Sequence, residues 1–291
     1  MKSVRLRGYI VGVVVACVLS SLAFCVLKLI EMQRRNEARE LAQSFSLKLV
    51  ERVNESATGV YLLTASVDRR TGEIVRFEEL AEELLGDFPL LKALELAPGG
   101  VIRHIYPLRG NEPAVGHDLL LDKTRNREVH LAISRRQTAV AGPLALRQGG
   151  LGVIVRYPLY RKGADGRSHF WGLSIGIVDY PSLLLSAGES DFARQGYSYE
   201  LCWKPIGASH CKNIKGEPVE PPDEAERISV GLSQADWQLL VMRQEGWLTT
   251  VEKLLALVLV VIPSVAAGLW AGLRSRKGAQ AEEVELSPPA A

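Results

Sequence analysis

The side chains able to do chemistry in this sequence are few: five histidines, four cysteines and some glycine clusters. His117 and Asp118 stand side by side, as they would in a metal-dependent phosphohydrolase, but such sites draw further His and Asp ligands from other helices. The other histidines, His104, His130, His169 and His210, are isolated from any suitably spaced carboxylate, and structural roles are expected for each. Gly149-Gly150-Leu151-Gly152 precedes strand-like residues rather than a helix, so no helix dipole would face a phosphate there, and it reads as a turn. The sequence has no G-x-S-x-G, H-E-x-x-H or Walker motif, and an unassisted Ser or Thr is not a nucleophile. The expectation is a binder rather than an enzyme, with no catalytic residue, metal or cofactor assigned.

Two apolar runs say where the chain resides. Residues 9–27, YIVGVVVACVLSSLAFCVL, carry no charge and follow Lys2, Arg5 and Arg7, while residues 254–273 are equally uncharged and precede Arg274, Arg276 and Lys277. Each is long enough to cross a hydrocarbon core of about 30 Å as a helix. Basic flanks stay inside, so both termini are expected in the cytoplasm of a bacterial inner membrane, with residues 31–246 in the periplasm or outside the cell. Arg34, Arg35 and Arg39 run against that rule, although Glu31, Glu37 and Glu40 dilute them. A cleaved signal peptide would have a shorter apolar core, about 7 to 15 residues. Val14-Val15-Ala16-Cys17 resembles a lipoprotein cleavage site, but the apolar residues after Cys17 are a poor start for an exported chain, so an uncleaved anchor is expected. Within residues 31–248, 27 Lys and Arg face 29 Asp and Glu, a net −2, which excludes nucleic acid as a partner. In an oxidising compartment Cys202 and Cys211 suggest a disulfide; a metal site using His210 would lack a fourth ligand. Cys17 and Cys25, inside the first run, read as packing residues.

Between the runs, Ala38, Leu41, Phe45, Leu49, Val53, Ala57, Val60, Thr64 and Val67 recur at steps of three and four, predicting one amphipathic helix over 30–67. Such a rod would extend more than about 50 Å and needs an apolar partner along its length. A second helix is expected over 72–87, with Ile74, Phe77, Leu80, Leu84 and Leu85 facing inward. From residue 91 the pattern shortens to β-compatible runs: LKALELAP, VIRHIYPL, TAVAGPLAL, GVIVRYPLYRK and HFWGLSIGIV. One helix interrupts them, starting near Asp122 as a cap and turning Arg125, Arg127, Arg135 and Arg136 outward. The GADG after Lys162 reads as a hairpin turn, and a short helix, SLLLSAG, leads to a smaller set of strands: YSYELCWK, RISVGLS and WQLLVMR. The last 18 residues have no room for a kinase or cyclase, and the stretch from 278 onward reads as a disordered tail. Any signal is therefore expected to pass through the spans or to a partner protein.

Taken in order, ALELAPGGVIRHIYPL, GHDLL at 116–120, the arginine-rich helix, TAVAGPLALRQGGLGVIVRYPLY and DWQLLVMRQEGW resemble the CHASE domain, an extracytoplasmic sensory module that precedes diguanylate cyclases and histidine kinases in bacteria and forms the ectodomain of plant cytokinin receptors. The resemblance covers residues 31–248 and implies an α+β fold, a long stalk helix carrying two PAS-like antiparallel sheets, flanked by two transmembrane helices. The segments it implies are a cytoplasmic start (1–8), a first span (9–30), stalk and connecting helices (31–90), a membrane-distal sensor (91–180), a membrane-proximal subdomain (181–246), a second span (247–273) and a cytoplasmic tail (274–291). A small-molecule pocket in the distal sheet would be lined from Asp118, Thr138, Ala141, Val153 and Arg156, with Asp118 equally suited to capping its own turn. Where the plant receptors place a threonine before a Gly/Ser-Pro pair, Ala141 precedes Gly142-Pro143, which argues against an adenine-type ligand. The family also implies homodimerisation through the stalk and a cognate kinase or diguanylate cyclase, here on a separate chain. The competing reading is a stand-alone, membrane-anchored binding or envelope-structural protein with no signalling output.

Overall fold

In this computed structural model residues 2–123, 126–163, 165–204, 211–232 and 235–285 are described. Helix α1 (Lys2–Leu62) is continuous and closes in a 3-10 turn, Leu63–Ser66. Ala38, Ala42, Phe45, Leu49, Val53, Val60 and Leu63 are buried along it, steps of three, four and seven that keep one stripe inward. Ala42 takes the buried place expected for Leu41, which is only partly covered. Helix α2 (Phe77–Asp87) starts later than the expected residue 72. Asp68 Oδ1 accepts the N–H groups of Arg70 and Thr71 at 2.7 and 3.3 Å, and Val67 bridges to Ile74, so residues 67–76 form a turn instead.

Five antiparallel strands follow: β1 (Leu91–Pro98), β2 (His104–Tyr106), β3 (Ala139–Ala145), β4 (Leu151–Lys162) and β5 (Ser168–Asp179), ordered β2-β1-β5-β4-β3. Between β2 and β3 lies α3 (Asn126–Arg135). Asp122, expected as its cap, instead pairs with His117, and Arg125 lies outside the described residues. Asp179 caps α4 (Tyr180–Ala187) through the Ser182 N–H, and α5 (Ser190–Arg194) follows. A smaller sheet, ordered β7-β6-β9-β8, comprises β6 (Tyr197–Lys204), β7 (Lys212–Gly216), β8 (Glu226–Leu232) and β9 (Ala235–Arg243). Strand β7, KNIKG, has no apolar alternation to announce it; it is an exposed edge strand beside β6, and Cys202 on β6 and Cys211 just ahead of β7 form a disulfide.

Residues 38–244 make one compact unit that includes both sheets. Within it the sheets follow one another along α1. Phe45 packs edge-on against Phe192 at 5.3 Å and lies 6.5 Å from Tyr199 of β6, while Arg39 pairs with Glu226 of β8 at 2.7 Å. Further along, the buried Ser174 of β5 donates to the Val60 carbonyl at 2.6 Å, and Tyr61 meets Tyr157 of β4 at 5.1 Å. The smaller sheet thus sits nearer the Ala38 end of the helix. Between the sheets, the fully buried Trp237 of β9 packs edge-on to Tyr180 at 6.2 Å and donates its Nε1–H to the Gly142 carbonyl of β3 at 3.1 Å.

Residues 1–37 and 245–291 make the second unit. It holds the start of α1 and α6 (Thr250–Glu285), and both helices carry segments long and apolar enough to cross a membrane. The helices approach at small residues, with Gly12 against Gly268 and the Ser264 carbonyl. At the start of α6, Thr249 and Glu252 exchange hydrogen bonds, Thr249 N–H to Oε2 at 2.9 Å and Glu252 N–H to Oγ1 at 3.2 Å, a reciprocal cap. Arg34 of α1 grips Glu252 with both guanidinium ends and donates to the Trp247 carbonyl at 2.9 Å, while Arg35 lies over the Trp247 ring at 4.6 Å. Residues 278–285, expected as disordered tail, continue α6: Ala, Gln and Glu are strong helix formers and the span already supplies the nucleus.

Candidate functional site

The register of the larger sheet decides which side chains meet. Ile105, Glu95, Ile175, Arg156 and Ala139 lie opposite one another across β2, β1, β5, β4 and β3, and therefore point to one face. The neighbouring row on that face is Ala93, Ile177, Ile154 and Ala141. Intervening residues point the other way, toward α1: a Cβ on Gly176 would lie 2.4 Å from Val60 Cγ2. This is why the central strand carries Ser174 and Gly176 on its helix face and bulky Ile175 and Ile177 on the other.

The free face is closed by the loop after β2 and by the β3–β4 hairpin. Ala114, His117 and Leu119 come from the first, Leu146, Arg147 and Gln148 from the second and Ile102 from the turn between β1 and β2, and together with Glu95, Arg156 and three further isoleucines they line a cavity of about 40 Å³. Its lining is mostly apolar, yet besides the exposed Arg147 three buried ionisable side chains face it. Arg156 is 1% exposed, Glu95 2% and His117 9%. Burial pushes the Glu95 carboxyl up to about 7, although the nearby Arg156 charge pulls it down. His117 Nε2 sits 3.2 Å from Asp122 Oδ2, and the His117 backbone is held by Ala114 and Ile102. An apolar core needs none of these charges for stability, since burying an ion pair gains little over packed hydrocarbon. A pocket of convergent polar groups in an apolar wall is the arrangement that orients a small ligand.

Of the residues expected at the pocket, the structure places Arg156 in its wall and Ala141 on the same face, opposite Ile154. Val153 is on the opposite face of β4, fully buried behind the sheet. Thr138 lies ahead of β3, half-buried and outside the lining. Asp118 accepts the N–H groups of Leu120 and Leu121 through Oδ1 at 2.9 and 3.1 Å; it caps its turn while its neighbours His117 and Leu119 enter the cavity. Glu95 was missed, although a carboxylate between alanines on alternate positions of LKALELAP was the signal available. Two histidines also differ from expectation. His117 is a pocket residue, and His169 pairs with Asp165 at 2.9 Å across the hairpin turn, a carboxylate four residues upstream that spacing alone made accessible. His104 packs edge-on to Phe77 at 5.6 Å, His130 is exposed on α3, and His210 lies outside the described residues. Among the described residues no three His, Cys, Asp or Glu side chains converge as a metal site would require. A second, larger cleft of about 460 Å³ is bounded by Arg52, Glu55 and Ser56 of α1, residues 87–90 and Ser186, but its carboxylates are exposed, not buried.

The model of the CHASE domain matches residues 32–200. This chain belongs to the CHASE domain family. The match runs from α1 through the larger sheet into β6, and it makes the protein an extracytoplasmic sensory module. Two solved structures share the fold. An extracellular ligand binding receptor from Desulfohalobium retbaense DSM5692 superposes with a TM-score of 0.53 at 13% identity, covering 70% of this chain and 40% of that one. A methyl-accepting chemotaxis protein X superposes at 0.51 with 14% identity, covering 73% of this chain and 98% of the other. The CHASE chain thus spans well under half the length of the first of these. No curated protein matches it.

Proposed function

We propose that this CHASE protein is a two-pass inner-membrane sensor, both termini cytoplasmic, that binds a small extracytoplasmic ligand in the cavity of the larger sheet and relays its occupancy to a separate partner. The observation that carries the reading is the trio Glu95, Arg156 and His117, buried and facing one cavity on a sheet whose other face is committed to α1. The relay has a defined start. Ala141 on the cavity face is followed by Gly142, whose carbonyl receives Trp237, and β9 leads on to the segment before α6. The reading places this sheet distal to the membrane and includes self-association along α1, whose exposed side carries Leu47 and Tyr61.

The test is thermal unfolding of the full chain in detergent across a library of small metabolites. A true ligand raises the midpoint with dose, adding about 2.7 kcal/mol of stability at a hundred times its Kd. The rise should vanish in Ala141→Trp, which fills the cavity face; Leu119→Trp fills it from the opposite wall and guards against one variant failing to fold. A flat response from a well-folded chain would leave a structural or partner-binding protein instead.

A further inference from the structure

Two buried ionisable groups of opposite type, a carboxyl and a guanidinium, share one row of the sheet at the cavity, with the exposed Arg147 at its edge. Glu95 and Arg156 flank Ile175, two strand spacings apart, about 9.5 Å between backbones. Both side chains line the same cavity and are almost wholly buried. A lone cation would meet Glu95 but confront the Arg156 guanidinium, and a simple carboxylate would meet Arg156 but oblige Glu95 to take up a proton. A ligand carrying both charges a few ångströms apart satisfies both.

We propose that the cavity takes a small zwitterion of the α-amino acid class, its carboxylate on Arg156, its ammonium on Glu95 and a short apolar side chain among Ile154, Ile177 and Leu119. The proposal rests on the reading of this cavity as the ligand site. Size favours the small members: about 40 Å³ accommodates only a few waters, which the ligand would replace while the exposed hairpin at 146–150 yields. Gly149 and Gly150, both at positive φ, let that hairpin move without side-chain strain.

Protons distinguish the classes. Lining the cavity with Glu95 are Arg156, Arg147 and His117, the last paired with Asp122, and α3 carries a further buried carboxyl, Glu128. The carboxyl of Glu95, pushed up to about 7, is partly protonated at neutral pH. An ammonium beside it favours the ionised form, so binding an amino acid at pH 7 releases protons; a simple carboxylate favours the acid form and takes them up.

The experiment is titration calorimetry on the full chain in detergent at pH 7, in phosphate and in Tris. The probes are glycine, L-alanine, L-serine, L-valine and L-proline, with propionate and isobutyrate lacking the amine, and ethylamine and isobutylamine lacking the carboxylate. Expected are binding of at least one amino acid with proton release, at least 100-fold weaker binding of the singly charged analogues, and at least 10-fold weakening by Glu95→Gln. The analogue series on the unaltered chain stands even if that variant does not fold. Binding of only carboxylates, only amines or another metabolite, abolished by Ala141→Trp, would overturn the zwitterion and leave the cavity as the ligand site. Binding of nothing by a folded chain would overturn both.

Discussion

Glu95 makes the stability of this protein depend on pH in an unusual direction. Its carboxyl titrates near 7 when folded, against an ordinary value of 4.5, so the folded chain holds a proton that the unfolded chain has released between those limits. The stabilisation is complete below about 4.5 and is lost as the pH climbs through 7, a change of roughly 3 kcal/mol. Thermal or urea unfolding of the ligand-free chain should therefore show stability falling from pH 5 to 8, and Glu95→Gln should flatten the fall; a flat profile in the unaltered chain would remove the argument for a strained carboxyl. At the joint between the sheets, Trp237→Phe keeps the aromatic contact with Tyr180 but leaves the buried Gly142 carbonyl without its donor. A loss of about 1 to 3 kcal/mol in urea unfolding is expected. The sequence made Arg156 visible as a charge within an apolar strand, but Glu95 escaped because nothing in LKALELAP says which face is buried twice. Asp118 and His117 exchanged roles for a similar reason: adjacent residues in a turn point apart, and spacing does not choose between them.

Helix and sheet are joined through Gly176, where β5 comes so close to α1 that a Cβ would overlap Val60. Gly176→Val should cost about 2 kcal/mol or more, and Val60→Ala in the same chain should recover part of the loss. A double-mutant cycle by urea unfolding measures the coupling, and simple additivity would refute the contact. Around α6 the arginines that oppose the charge rule have found employment: Arg34 holds Glu252 and the Trp247 carbonyl, and Arg35 covers the Trp247 ring. Arg34→Leu leaves the reciprocal cap of α6 without its cation, so amides of the first turn of α6 should exchange faster with deuterium while the sheets stay protected. Most elements were legible, since β1 and β6 match their apolar runs and α1 its stripe. What escaped were β7, an edge strand without apolar alternation, and the delayed start of α2, set by the Asp68 turn.

For the whole molecule, the proposed topology is open to direct measurement. With both termini cytoplasmic, single cysteines introduced at exposed Arg70 or Glu217 in a chain lacking Cys17 and Cys25 should react with an impermeant maleimide added to intact cells. One near Lys277 should react only after the cells are opened; the opposite pattern would invert the protein in the membrane. Removing the Cys202–Cys211 link by double alanine substitution should destabilise the smaller sheet by about 2 to 3 kcal/mol, read as a lower urea midpoint.

The sequence by itself determined the two apolar runs, the long helical stripe and the succession of a larger and a smaller set of strands, because each depends on periodicity within one segment. Family membership followed from the same local patterns in order. Only the tertiary structure decided the site. Glu95, His117 and Arg156 come from separate parts of the chain, and it is strand register, alternating faces and the burial of one face by α1 that turn all three toward a single cavity.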